Sequence, residues 1–152
     1  MGKPISVKVT QKFDAPVEDV FNGWIKPDKV RDWMSDALKS MGLTGEIARV
    51  EIDPRIGGRF LFCDMRDGEE FCHWGTYLEF QPPNRLLFTW NTPDSDESDP
   101  CNVCLTIAPD GAGSIVTIDN EIDEKWQDYI KETKSGWQSI LQAEDRILKE
   151  QK

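Results

Sequence analysis

The stretch from residue 59 to residue 91 constrains the fold most, because two short turn sequences interrupt its alternating apolar side chains. Asp67-Gly68 is typical of a two-residue β-hairpin turn, and Pro82-Pro83-Asn84 is typical of a second chain reversal. Three consecutive antiparallel strands are therefore predicted. Because turn length fixes strand register, the sequence also predicts which residues face each other.

The two hairpins together predict one aromatic face of the sheet. The first turn pairs Phe62 with His73, and a four-residue loop at 81–84 pairs Glu79 with Leu86. Side chains alternate between the two sides of a strand, so both hairpins assign the same set to one face. That face holds Phe60, Phe62, Asp64, Phe71, His73, Gly75, Tyr77, Glu79, Leu86, Phe88 and Trp90.

The remaining elements follow from apolar periodicity and capping signals. A half-buried strand is predicted at 5–13, then a helix capped by Asp14 with Pro16 in its first turn, and a second short helix after Lys26-Pro27 with Trp33 and Met34 facing inward. Period-two patterns predict strands near 46–53, 59–66, 69–80, 85–91, 102–108 and 114–121. The acidic segment 94–100 is predicted to be an exposed loop.

A long amphipathic helix is predicted at 124–149, where apolar residues recur every three or four positions without a proline. The order of elements is one strand, two short helices, six strands and one long helix. The fold class is therefore α+β, with an antiparallel sheet whose apolar face is covered by the terminal helix. The length of 152 residues predicts one domain over residues 1–152.

The charge of the chain disfavours several classes of partner. Its 28 acidic and 18 basic residues give a net charge of −10. Nucleic acids and anionic membrane surfaces need clustered Lys and Arg, so neither is an expected partner. No apolar run approaches the ~20 residues of a membrane span, so no membrane insertion is expected. The opening residues lack the apolar stretch of a secretory signal, which predicts a cytoplasmic location.

Ionisable side chains on the aromatic face indicate a cavity. Asp64, His73 and Glu79 would be costly on a buried face unless they were paired or hydrated. An apolar wall with a few polar groups is typical of a ligand cavity. The position of His73 in mid-strand favours that interpretation, whereas Asp64 and Glu79 could equally lie in solvent at strand ends.

Two glycines lie inside predicted secondary structure, one in a strand and one in the terminal helix. Gly75 is predicted to leave room for the rings of Phe60 and Trp90. Gly136 lies in the middle of the terminal helix, where glycine costs about 1 kcal/mol relative to alanine. Either a close approach to the sheet or to a ligand, or a kink at Ser135-Gly136, would account for it.

The four cysteines are expected to be reduced thiols in a cytosolic protein. Cys63 faces Cys72 in the predicted register, so a reversible bridge between them is the alternative. Cys101 and Cys104 fall on opposite faces of a strand, which disfavours a metal site. Neither a metal nor a cofactor is predicted.

Five strings spread along the chain resemble one superfamily. They are "FDAPVEDVFNGW", "DPRIGGRFLF", "WGTYLEFQPPNRLLFTW", "GAGSIVTI" and "SGWQSIL". Together they resemble the START/Bet v-like helix-grip superfamily, also called SRPBCC. More narrowly, they resemble the family related to the activator of heat-shock-protein-90 ATPase. The resemblance implies a curved seven-stranded antiparallel sheet gripping the C-terminal helix, with a cavity between them. Relatives bind lipids, sterols, polyketides or other apolar molecules, and some are cyclases or hydrolases.

The first functional hypothesis is a binding protein for a lipid-like or aromatic small molecule. Asp64, His73 and Glu79 would orient its polar end, and the short helices and the loop at 91–101 would form the rim. The predicted walls are Phe60, Phe62, Tyr77, Phe88, Trp90, Trp126, Ile130 and Trp137.

Two further hypotheses stay open beside it. One is an enzyme of the cyclase or dehydratase type with His73 as general acid or base. The other, by analogy with the family, is a chaperone partner that stimulates a heat-shock-protein-90 ATPase. A homodimer is also compatible with the sequence. The family offers no fixed catalytic residue to carry over, so none is assigned.

Overall fold

The computed structural model describes residues 4–93 and 101–150, and its elements follow the predicted order. They are β1 (Pro4–Phe13), α1 (Val17–Ile25), α2 (Pro27–Ser40), β2 (Ile47–Ile52), β3 (Arg59–Arg66), β4 (Glu69–Gln81), β5 (Arg85–Trp90), β6 (Cys101–Asp110), β7 (Gly113–Asp123), a 3₁₀ helix (Glu124–Tyr129) and α3 (Ile130–Glu150). The loop predicted at 94–100 lies outside the described residues.

The seven strands form one antiparallel sheet in the order β1-β7-β6-β5-β4-β3-β2. The long helix α3 packs on α2 and on β1, and α1 packs on α2. Buried side chains from the sheet and from all three helices join in one hydrophobic cluster. This arrangement is the predicted α+β helix-grip fold, in which the sheet holds the C-terminal helix.

The predicted register of β3 and β4 is confirmed. Phe62 pairs with His73 and Cys63 pairs with Cys72 across the Asp67-Gly68 turn. Cys63 and Cys72 are joined by a disulfide, so the expectation of reduced thiols is wrong for this pair and the alternative of a bridge holds. Their Cα atoms are 4.1 Å apart, as expected where facing strands approach most closely.

The predicted register of β4 and β5 is wrong by one residue next to the turn. Glu79 pairs with Leu87 rather than with Leu86, because a bulge shifts the register between Tyr77 and Glu79. The bulge turns Phe80 toward the interior, where its ring meets Phe21 at 5.7 Å. Strict alternation would have placed Phe80 outside, so burial of a further aromatic ring favours the irregular strand.

Two helix boundaries differ from the prediction. Helix α1 begins at Val17 with Pro16 as its N-cap and without a side-chain capping bond, so the predicted Asp14 cap is wrong. Asp14 instead forms an ion pair with Lys149 near the end of α3, at 3.5 Å. The terminal helical segment begins with 3₁₀ geometry and becomes α-helical at Ile130.

A buried carboxyl group connects the first and last helices. The indole Nε1 of Trp24 donates a hydrogen bond to Glu144 at 2.9 Å, and Glu144 is 1% exposed. A Cβ atom on Gly23 would overlap the second carboxyl oxygen of Glu144, so a larger residue at this point of α1 would force the buried carboxyl group to move. Burial raises the pKa of Glu144 well above its usual value, which favours the neutral acid.

Candidate ligand-binding site

A cavity of about 540 Å³ lies between the sheet, α2, the 3₁₀ helix and α3. Met41, Trp126 and Tyr129 line it and are each about half exposed, so they mark its mouth. Four of the six tryptophans of the chain line the cavity: Trp33, Trp90, Trp126 and Trp137. Apolar side chains of α2 and α3 complete the walls: Met34, Ala37, Leu38 and Ile140.

Trp90 of β5 lines the cavity on the side of the sheet. Its ring stacks on His73 at 4.7 Å between centroids and lies 5.1 Å from Trp137 of α3. Behind it, Phe60 stacks on the same ring at 5.9 Å. Trp90 therefore connects the closed aromatic core to the open cavity, and its position is fixed by rings on three sides.

His73 presents a neutral imidazole to the cavity. Burial, with a smaller contribution from the positive charge of Arg66, lowers the pKa of His73 to about 4, although Asp64 opposes the shift. The ring packs against Trp90 and Phe71, and no hydrogen bond to any of the described residues engages its nitrogens. A neutral imidazole offers one donor and one acceptor, so His73 can bond to either kind of ligand atom.

Asp64 and Arg66 form an ion pair at the sheet end of the cavity. The Arg66 Nε donates to Asp64 at 2.7 Å, and the carboxylate is 1% exposed. The guanidinium group also lies 3.9 Å from the centre of the Phe71 ring. Both charges of the pair are therefore satisfied within the protein.

Asn120 of β7 fixes the orientation of Trp137. Its Oδ1 accepts a hydrogen bond from the indole Nε1 at 2.9 Å, and its Nδ2 donates to the backbone carbonyl of Asn102 at 3.2 Å. Asn120 is 2% exposed, so these bonds satisfy an amide that would otherwise be costly to bury. The polar edge of Trp137 is thereby directed into the wall of the cavity.

Comparison with known proteins identifies the family. Residues 14–148 match the family described as Activator of Hsp90 ATPase homolog 1-like protein. The chain belongs to this family. The predicted resemblance to the SRPBCC superfamily is thus confirmed. Comparison with curated proteins finds no match.

Solved structures with the same fold accompany this family match. Protein Ms6760 from Mycobacterium smegmatis superposes with a TM-score of 0.77 at 20% identity, over 97% of this chain and 92% of that one. Protein NE0264 from Nitrosomonas europaea superposes with a TM-score of 0.76 at 18% identity, over 97% of this chain and 96% of that one. CalU16 from Micromonospora echinospora superposes with a TM-score of 0.65 at 21% identity, over 92% of this chain and 73% of that one. At these identities the likeness concerns the fold alone.

The structure brings together six of the eleven residues predicted for the site. Those that line the cavity are Phe62, Asp64, His73, Trp90, Trp126 and Trp137. Phe60, Tyr77 and Phe88 are buried in the core behind the cavity wall. Ile130 is half-buried at the start of α3 and does not line the cavity.

The placement of Glu79 on the cavity face is wrong. The bulge after Tyr77 turns Glu79 to the outer face, where it accepts a hydrogen bond from the Nε of Arg85 at 2.6 Å. Its side chain is 39% exposed, so solvent and an ion pair satisfy its charge. Glu79 therefore does not line the cavity.

Two parts of the site were not predicted from the sequence. Helix α2 contributes more of the wall than a short rim helix would, because it runs for 14 residues and adds Ala37 and Leu38 to the cavity, followed by Met41 directly after the helix. Asn120 continues the inward alternation of Val116 and Ile118 along β7, so that period-two pattern could have revealed it.

None of the helices formed by the described residues is long and apolar enough to cross a membrane.

Proposed function

We propose that this chain binds a hydrophobic small molecule in the cavity between the sheet, α2 and α3. The observation that carries the proposal is a cavity of about 540 Å³ lined by four tryptophans. Ligand pockets commonly have volumes of ~300–1,000 Å³ and apolar walls with a few polar groups. The neutral imidazole of His73 and the paired Asp64 supply such groups.

The energetics of an apolar cavity support the same function. Unfilled space deprives its lining of dispersion contacts and destabilises a fold by about 24 cal/mol per Å³ in a closed core. A ligand that fills the space restores those contacts and removes the partly exposed rings from water. The exposed pair Trp126 and Tyr129 at the mouth is suited to cover an apolar ligand once it is inside.

Gly136 supports the proposal from the side of α3. It lines the cavity, and a Cβ atom built on it would meet no other atom within 4 Å. Close packing against the sheet therefore does not require glycine here, and α3 runs unbroken through this position. Space for a ligand remains as the physical reason for a residue that weakens the helix.

A pair of leucine variants tests the proposal. Gly136→Leu directs an apolar side chain into the cavity, whereas Ser135→Leu adds the same side chain on the exposed face of the same helix. Titration with the uncharged dye Nile red, followed by dye fluorescence and energy transfer from tryptophan, should give saturable binding to the wild type and to Ser135→Leu. Gly136→Leu should bind at least about tenfold more weakly. Equal binding by all three proteins, or none by the wild type, would contradict the proposal.

The enzyme hypothesis gains no comparable support. A general base works best with a pKa near the pH of the reaction, and the pKa of His73 is lowered to about 4. Incubation of metabolite extracts with the wild type and with His73→Ala still separates catalysis from binding, because only catalysis makes the product profiles differ.

The chaperone-partner hypothesis stays a prediction based on the family. Its test is co-purification with the heat-shock-protein-90 homologue of the host. Nucleotide hydrolysis by the chaperone, measured with and without this chain, would then show whether binding stimulates the ATPase.

A further inference from the structure

We propose that the cavity selects uncharged hydrophobic ligands and rejects carboxylates and phosphates. This inference rests on the proposed function and specifies the charge class of its ligand. It follows from how the charged groups of the interior and of the mouth are arranged around the apolar walls.

Within the part of the chain that the structure describes, the cavity interior offers an incoming anion no cation that is not already paired. Arg66 is the one arginine that lines the cavity among the described residues, and its guanidinium already bonds to Asp64 at 2.7 Å and 3.4 Å. A ligand carboxylate that took over these two bonds would displace the side chain of Asp64, an internal carboxylate that is 1% exposed. This exchange is unfavourable, because it leaves the charge of the buried Asp64 without its partner.

His73 does not supply a positive charge either. Burial lowers its pKa to about 4, so the imidazole is neutral at the pH of most cells. Its stacking on Trp90 keeps the ring at the cavity wall. In this form it bonds to an uncharged amide, hydroxyl or carbonyl group, but it gives an anion no ionic partner.

The mouth of the cavity carries acidic side chains. Glu121, Asp123 and Glu132 line it, and none of the three forms an ion pair with a lysine or arginine among the described residues. Lys125 is the one lysine in the same lining, and it lies 5.7 Å from the centre of the Trp126 ring. An anion entering this mouth meets an excess of like charge, in a chain whose net charge is −10.

The paired charges of the interior and the acidic side chains of the mouth both lower the affinity of the cavity for anions. An anion must give up water to enter an apolar cavity, and that cost is recovered only through an ionic partner with good geometry. An uncharged group of the same shape loses far less hydration and gains the hydrogen bond of His73. Ligands that differ only in charge should therefore differ strongly in affinity.

Isosteric ligand pairs test this selection directly. The pairs are 2-naphthamide with 2-naphthoate and dodecanamide with dodecanoate, each measured at pH 7.5 by calorimetry and by displacement of Nile red. We expect each amide to bind at least about tenfold more tightly than its carboxylate. A second protein, Asp64→Asn, keeps the shape of the side chain but releases the Arg66 guanidinium. In this variant the carboxylates should gain affinity and the difference should shrink by at least about threefold.

The outcomes separate the inference from the proposed function. Carboxylates that bind the wild type as tightly as the amides would overturn the charge selection and leave hydrophobic binding intact. Binding of Nile red without binding of either amide would do the same. If neither the dye nor any member of the pairs binds, the proposed function fails and the selection fails with it. Circular dichroism of Asp64→Asn checks its fold, and the wild-type comparison decides the question without that variant.

Discussion

Replacement of Gly136 by alanine tests whether the space beside α3 is open. Glycine in a helix interior destabilises by roughly 0.5–1 kcal/mol relative to alanine, because it loses more backbone freedom on folding. A Cβ atom at this position would meet no other atom within 4 Å. The methyl group therefore adds no clash, and Gly136→Ala should raise the free energy of unfolding by the full amount.

The expected gain is measurable by thermal and chemical unfolding. For a chain of this length, 1 kcal/mol corresponds to about 2–4 °C in Tm, so Gly136→Ala should raise Tm by roughly 1–4 °C. Urea unfolding should give the same change in free energy with an unchanged slope, since the surface exposed on unfolding hardly alters. Both experiments are run without ligand, because a bound ligand would add its own stabilisation.

Gly75→Ala is the matched control for this substitution. Its Cβ atom would overlap the carbonyl oxygen of Thr89 and lie 2.8 Å from the ring of Phe60, so the same exchange should destabilise by at least about 1–3 kcal/mol. Opposite signs for the two glycines would support the described geometry. A loss of stability in Gly136→Ala would refute the reasoning, because it would mean that the cavity wall is closed at α3.

Three further predictions concern ionisation and the disulfide. The imidazole of His73, the one histidine in the chain, should titrate in NMR spectra with a pKa near 4 rather than 6.5. Because the folded state binds this proton less tightly than the unfolded state, the free energy of unfolding should fall by about 3 kcal/mol as the pH falls from 6.5 through 4. Because burial raises the pKa of Glu144, the folded state holds its proton more tightly than the unfolded state, and the stability linked to that proton is lost as the pH rises from about 4.5 through the raised value. Glu144→Gln should therefore gain Tm over the wild type at pH 8 but not at pH 4, and equal differences at both pH values would contradict this. The Cys63–Cys72 bridge closes a loop with a sequence separation of 9, so reduction by dithiothreitol should lower the free energy of unfolding by up to about 3 kcal/mol, whereas a Cys72→Ser variant should not respond to the reductant.

Local turn chemistry accounts for what the sequence predicted well. Asp67-Gly68 determined the register of β3 and β4, and with it the facing pairs that include Phe62 with His73. Alternation then assigned the aromatic face, and the space required by Phe60 explained Gly75. These features depend on residues close together in the chain, whose geometry is limited by short turns and by the period of a strand.

The side of the sheet on which Glu79 lies could not be predicted from turns and alternation. A bulge changes the period of β4 at one position, and the gain that favours it is the packing of Phe80 on Phe21 of α1. That helix is distant in sequence from β4. No regular alternation therefore encodes the outward direction of Glu79 or its ion pair with Arg85.

The sequence by itself determined the order of the elements, the α+β class and the apolar side of the central strands, because periodicity and turns act over a few residues. Tertiary structure alone decided that an open volume remains between α2, α3 and the sheet, and that Asp64 neutralises Arg66 beside it. It also decided that Glu144 lies buried against Trp24. Each of these depends on distances between elements far apart in the chain, and those distances are set by how all the side chains pack at once.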